Sequence, residues 1–146
     1  RSLAVGCVRM GTEFCLAGPR DFHFDASFVE QLREAGGAAL LQMTDDAHAA
    51  VHGASAVYTD VWASMGQEKE RTARRRVFSP FQVNEALMQS APDDAVFMHC
   101  LPARRGEEVT DAVIDGPQSV VVPQAANRMH VQKGILAWML GIPLDS

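Results

Sequence analysis

His99 and Cys100 stand where an apolar run, Phe97-Met98, meets Leu101-Pro102 and a burst of charge, in the stretch FMHCLPARRGEEVTD (97–111). A thiol at the end of a buried segment can steer or accept a proton from a nucleophile, or attack directly. Arg104 and Arg105 follow closely in the chain, and their positive field is expected to favour the thiolate. The bland reading is that Cys100 is core filling, since free cysteine is among the most buried residue types.

A second cluster lies in TDVWASMGQE (59–68). Asp60 either caps the turn after a strand or holds a substrate ammonium, where a charge-assisted hydrogen bond contributes about 1.5–3 kcal/mol. In the second case Ser64, Met65 and Gly66 form a segment that closes over a ligand, with Gly66 supplying the freedom to do so. A third candidate is Arg128 in AANRMH. An arginine in the first turn of a helix opposes the helix dipole; a guanidinium aimed at an oxyanion would justify the placement, and a solvated arginine is the alternative.

Other features carry less. His48 and His52 are four apart, but no glutamate follows His48, so the zinc-protease pattern HExxH is absent and no metal site is expected. EKERTARRR (68–76) reads as a solvated charged helix. No GxGxxG loop supports a nicotinamide site, and no cofactor is expected.

These residues need elements to position them. RSLAVGCVRMG (1–11) puts Leu3, Cys7 and Met10 at helical spacing ahead of Gly11, a C-cap position. TEFCLAG (12–18) reads as a strand. DASFVEQLREAGG (25–37) reads as a helix capped by Asp25, with Phe28, Leu32 and Ala35 on one face and a stop at Gly36-Gly37. Further strands are expected over 38–44, 55–61, 95–100 and 119–124. Short helices fit DDAHAAVHGA and DAVIDG, and Ser79 with Pro80 signals the start of another. The closing helix, AANRMHVQKGILAWMLG (125–141), offers Met129, Ile135, Leu136 and Met139 as packing positions.

Strands alternating with helices predict an α/β fold, a doubly wound parallel sheet with helices on both faces. Ligands in such sheets bind beyond the carboxyl ends of strands. The segments from Asp60, from His99 and from Pro123 onward all fall there.

The chain has 146 residues, enough for one domain with a core. A net charge of −5 argues against nucleic acid and anionic membranes as partners, and no apolar run reaches the roughly 20 residues that span a bilayer. Three cysteines without metal spacing suggest free thiols and a reducing, cytoplasmic setting. The chain opens at Arg1 in mid-helix character, so it is expected to begin inside a larger protein.

DVWASMGQE and MHCLPARRGEEVTD, with FSPFQVNEALM between them and NRMHVQKGIL after, resemble the ornithine carbamoyltransferase family, in order and at similar spacing. The pairing of SMG with HCLP looks like the ornithine enzymes rather than those acting on aspartate or putrescine. What the resemblance implies is a second, ornithine-binding domain of Rossmann-like fold over 1–146, incomplete at its amino end and lacking its first strand. The carbamoyl-phosphate domain is absent, with its STRTR-type and HPTQ-type segments. By the same resemblance Asp60, Ser64 and Met65 contact L-ornithine. His99 to Pro102 is the family's HCLP segment, with Cys100 beside the reacting amine and the Leu101 carbonyl near carbamoyl phosphate. Arg128 is the family's carbamoyl-phosphate arginine. Where the family has a stretch such as DEAENR, this chain reads PQAANR. The implied reaction is carbamoyl transfer to ornithine in arginine metabolism, by a homotrimer when complete. A non-catalytic domain that binds ligand or partner without turnover is the alternative.

Overall fold

The computed structural model describes residues 1–35, 40–63 and 71–142. Its elements are α1 (Ser2–Arg9), β1 (Phe14–Ala17), α2 (Ala26–Glu34), β2 (Leu41–Thr44), α3 (Ala47–Val51), β3 (Ala56–Thr59), α4 (Arg71–Phe78), α5 (Glu85–Met88), β4 (Val96–His99), α6 (Asp111–Ile114) and α7 (Val121–Met139). Alternating strands and helices give the expected α/β arrangement, and all strand pairs are parallel. The expected helix stop at Gly36-Gly37 and the Ser64-Met65-Gly66 segment lie outside the described residues.

The four strands form two separate ribbons, β1 with β2 and β3 with β4. No ladder joins them, so β1 and β3 each keep an edge without a partner strand among the described residues. Each ribbon has its own core. Ala4 and Val8 of α1 pack with Phe28 and Leu32 of α2 against Phe14 and Leu41. Val57, Phe97, Leu87, Met88, Val109, Val113, Ile114 and Val121 form the larger core around β3 and β4, joined by Ala47 and Val51 of α3. Helix α3 also touches β1 and β2, so it connects the two ribbons.

Local chemistry sets several boundaries. Asp25 caps α2 by accepting from Phe28 N at 2.9 Å, and Asp46 caps α3 by accepting from Ala49 N at 3.0 Å. Gly11 takes a left-handed φ of 71° just past α1, where a side chain would be strained.

Four expectations are corrected. The buried stripe of α1 is Ala4 and Val8, while Leu3 and Met10 are exposed. The small Ala4 lets the helix approach the Phe28 side of the core. Ser79 does not cap a long helix; Ser79–Phe81 is a single 3-10 turn, and α5 begins later, capped by Asn84 accepting from Leu87 N at 2.9 Å. Val83 interrupts the two because it pairs in parallel with Val109. The fifth strand over 119–124 is reduced to one bridge, Phe97 with Ser119, and α7 already starts at Val121. Pro123 falls in the first turn, where a missing N–H costs nothing, so the β-branched run continues as helix. Finally, Met129, Ile135, Leu136 and Met139 are exposed, as are Val131 and Trp138. Of α7 only Val121 is buried.

Candidate functional site

The register of β3 on β4 places Tyr58 beside Met98 and Thr59 beside His99. Successive strand residues face opposite sides. Val57, Phe97 and His99 therefore enter the core, while Tyr58 remains 38 % exposed on the other face. One residue beyond the strands, Asp60 and Cys100 continue that outer face and meet. Cys100 Sγ donates to Asp60 Oδ1 at 3.0 Å, and the same oxygen accepts from Val61 N at 2.7 Å.

Burial is the main cause that pushes the Cys100 thiol above its ordinary range, with the Asp60 hydrogen bond and charge adding to it; Tyr58 opposes them. The expected thiolate-favouring field is corrected here. Arg105 is held by Asp111 at 2.8 Å and by Asp115 at 2.5 and 2.9 Å, so its charge is satisfied at those carboxylates. Tyr58 is also raised, by burial first and by Cys100 second.

On the inner face the histidine builds the corner that follows. His99 is 1 % exposed and Glu108 fully buried. Leu101 N donates to His99 Nδ1 at 2.8 Å, so Nδ1 carries no proton and the ring proton sits on Nε2. Nε2 faces Glu108 Oε1 at 3.3 Å, although the alignment falls short of a hydrogen bond and Nε2 is left without a partner, as is Glu108 Oε2. Oε1 also accepts from Arg104 N. His99 thus holds Leu101 at φ 55°, a left-handed conformation that costs a non-glycine residue about 1–2 kcal/mol. Backbone strain of this kind clusters at functional sites. The Leu101-Pro102 peptide is cis.

Helix α7 reaches the same strand. Gln124 Oε1 accepts from His99 N at 3.0 Å. The Gln124 carboxamide oxygen supplies that acceptor. Arg128 lies one turn further along the same helix face and is exposed. Because α7 starts at Val121, Arg128 is in mid-helix, and the dipole argument made for a first-turn arginine does not apply. No hydrogen bond or ion pair joins Arg128 to Asp60 or Cys100 among the described residues. A groove of about 310 Å³ runs past Gln124, Asn127, Arg128, Val131 and Gln132; all five belong to α7, so it is a helix surface, distinct from the Asp60–Cys100 contact.

The structure therefore brings Asp60, Cys100, His99, Leu101 and Pro102 together at the carboxyl ends of β3 and β4. Ser64 and Met65 lie outside the described residues. Sequence reasoning missed Glu108, Gln124 and Tyr58. Glu108 sits in an RRGEEV run that reads as surface, and nothing local signals its burial. Tyr58 shares strand parity with Asp60, a signal that was available. Around the site, Arg71 at the start of α4 pairs with Glu107, and Arg74 donates to Trp62 O at 3.4 Å, which fixes both flanks of the segment between.

A parallel α/β domain with helices between its strands is of the doubly wound type, a class in which ligands bind beyond the carboxyl ends of strands. The family model described as "Aspartate/ornithine carbamoyltransferase, Asp/Orn binding domain" matches residues 1–139. The chain belongs to that family. An ornithine carbamoyltransferase of Rhodococcus opacus is 50 % identical over 141 residues, which cover 95 % of this chain and 45 % of that protein. One from Agrobacterium fabrum is 50 % identical, covering 97 % and 45 %. Among solved structures, the ornithine carbamoyltransferase of Pyrococcus furiosus superposes with a TM-score of 0.83 at 47 % identity, over 93 % of this chain and 44 % of that one. The anabolic enzyme of Campylobacter jejuni gives 0.88 at 28 % identity, over 97 % and 48 %. The chain spans about half the length of the relatives it matches.

Proposed function

We propose that this chain is the ornithine-binding half of an ornithine carbamoyltransferase, working with a carbamoyl-phosphate domain to convert L-ornithine and carbamoyl phosphate into L-citrulline and phosphate. The observation that carries the reading is the Cys100–Asp60 contact at 3.0 Å beside the left-handed Leu101 corner. It sets a carboxylate that accepts and a polarisable sulfur side by side at one point, where a ligand amine can be met.

In this reading Asp60, Ser64 and Met65 hold ornithine, and Asp60 and Cys100 orient its side-chain amine. The neutral amine attacks the carbonyl carbon of carbamoyl phosphate, a C–N bond forms, the bond to the phosphate oxygen breaks, and the amine proton leaves with phosphate or solvent. Leu101 and Cys100 border the carbamoyl group, and Arg128 stabilises the developing oxyanion. His99 and Pro102 support the corner, and no cofactor is required. The coverage of relatives at 45 % and the exposed apolar side of α7 support the presence of a partner domain in the working enzyme. We extend the reading to a homotrimer acting in the cytoplasm in arginine metabolism. Among the described residues no helix is long and apolar enough to cross a membrane.

For the chain by itself the same reading gives ligand binding without turnover, since electrostatic stabilisation of the leaving phosphate is a large catalytic contribution. The test is citrulline formation by the chain alone and by the chain fused to a carbamoyl-phosphate domain. The fusion is expected to turn over and the chain alone not. In the fusion, Asp60→Asn mainly weakens ornithine affinity and Cys100→Ala mainly lowers turnover. Unchanged kinetics in both variants overturn the residue assignment, and turnover by the chain alone overturns the need for a second domain.

A further inference from the structure

Strand β4 ends on a backbone donor that is met by a side chain. Its Val96 N–H points to the β3 side, where Ser55 O accepts it at 3.0 Å, and successive residues of a strand turn their backbone groups to opposite edges. The N–H groups of Phe97 and His99 therefore face away from β3, toward the segment that leads into α7. Phe97 N donates to Gln118 O at 2.8 Å, and Phe97 O accepts from Val120 N at 2.9 Å. That segment turns into helix at Val121, which takes its carbonyls out of the ladder. Gln124 meets the next donor instead, with its side-chain Oε1 3.0 Å from His99 N. Because a backbone N–H only donates, the carboxamide oxygen rather than the nitrogen must face it.

This bond matters because little else ties α7 down. Of its 19 residues only Val121 is buried. Gln124 is half-buried, and every residue from Ala125 to Lys133 is exposed. Arg128 follows Gln124 by four residues, a spacing that stacks two side chains on one helix face with Cβ atoms about 5–6 Å apart. Both line the groove of about 310 Å³ along α7.

We propose that Gln124 is a positioning residue for Arg128. By supplying the acceptor that the ladder of β4 lacks, its side chain sets the rotation and tilt of α7 on the strand. It thereby fixes where the Arg128 guanidinium stands relative to the His99–Pro102 corner. The same hydrogen bond holds the first residue of that corner, since His99 supplies the donor. One side chain locks strand end and helix together. The part played by Arg128 in catalysis rests on the functional reading above; the tether does not.

The tether is tested in the 146-residue chain with trypsin, which cuts after the exposed Arg128 of α7 when the helix loosens. Gln124→Leu removes the acceptor and Gln124→Glu keeps an oxygen in its place, and the three residue types have similar helix propensity. Cleavage after Arg128 is measured against cleavage after Arg33 of α2, which belongs to the other core. The ratio is expected to rise about three- to tenfold in Gln124→Leu and to stay at the parent value in Gln124→Glu. An unchanged ratio in Gln124→Leu overturns the proposal, whether both sites stay slow or both speed up together. So does a Gln124→Glu chain that is cut as fast as Gln124→Leu.

The action through Arg128 is tested in the fusion with a carbamoyl-phosphate domain. Gln124→Leu is expected to lower kcat/KM for carbamoyl phosphate about ten- to hundredfold, and Gln124→Glu to restore most of it. Once Arg128→Gln is present, Gln124→Leu should add little. An equal loss in both backgrounds means that Gln124 acts on something other than Arg128, and overturns the proposal. A fusion that makes no citrulline tells against the functional reading, and the trypsin ratio still decides the tether.

Discussion

Asp60 Oδ1 receives the Cys100 thiol at 3.0 Å, which makes the sulfur a donor in the resting protein. A thiol so placed is a poor nucleophile at neutral pH, because the thiolate is the reactive form. Its value is orientation: it and the carboxylate define one point where a ligand amine is met.

From that contact follows the behaviour of the thiol toward reagents. Burial and Asp60 both raise Cys100, so replacing Asp60 by asparagine removes one of the two causes and lowers the alkylation midpoint. A change of about one pH unit corresponds to tenfold in thiolate below the midpoint. Iodoacetamide kinetics against pH, in a chain with Cys7→Ser and Cys15→Ser that leaves Cys100 as the sole thiol, measure this directly. A midpoint that rises in Asp60→Asn contradicts the donor role.

Folding stability should have a pH plateau with a loss on each side. Cys15, Cys100 and Tyr58 are raised in the folded chain, so the unfolded chain loses these protons first. Their contribution is whole below the unfolded thiol value of 9.0 and declines as pH rises beyond it. Asp25, Asp45, Glu85, Glu107 and Asp115 are lowered, chiefly by hydrogen bonds from Ser27, Arg20, Thr110, Arg71 and Arg105 respectively. Their contribution is present above the unfolded carboxylate values and lost as pH falls below them, down to about 2 for Asp25. Urea midpoints measured from acid to alkaline pH should trace that shape. Most of these groups are exposed, so the acid limb is expected to be shallow.

Glu108 offers a separation of charge from hydrogen bonding. Glu108→Val leaves the Arg104 N–H without its acceptor, while the His99 Nε2–H has no hydrogen-bond partner to lose. Each buried group left unpaired costs about 1–3 kcal/mol. Glu108→Gln keeps a carbonyl oxygen for the Arg104 N–H and should recover much of that loss. Equal denaturation midpoints for the two variants would show that the carboxyl oxygens hold nothing in place.

Four strands and their parallel sense were legible because short apolar runs alternate with helical segments, and Asp25 was legible as a cap because caps are local. Asp60 and Cys100 were legible as candidates, since both end strands in a parallel fold. Their pairing was not, because it depends on register, which sequence spacing alone does not set. Glu108 was hidden for a related reason: its burial is decided by where His99 of another segment points. The 119–124 run misled because Val-Val-Val suits a strand, whereas Pro123 fits a first helical turn equally well. The faces of α1 and α7 were misjudged because apolar periodicity shows which residues can be buried, and only a covering surface buries them.

The last expectation concerns the chain on its own. The ribbons β1–β2 and β3–β4 do not pair with each other, and strands without partners template association. In β1 no residue is buried and in β3 only Val57 is, so water can reach most of their backbone groups and the penalty per unpaired group stays small. The structure therefore predicts association rather than outright unfolding. Trp138 at 74 % exposure, with Leu136, Met139 and Leu140 beside it on or next to α7, adds an apolar surface of the kind that soluble monomers rarely leave open. Total stability of a domain is only about 5–15 kcal/mol, and two small cores joined through α3 should place this one low in that range. Sedimentation velocity is expected to show concentration-dependent oligomers, and calorimetry a low, broad transition. Adding a carbamoyl-phosphate domain in the same chain should sharpen and raise it. A sharp transition from a strictly monomeric chain, at a temperature unchanged by that addition, would mean that the open edges and the exposed face of α7 carry no cost.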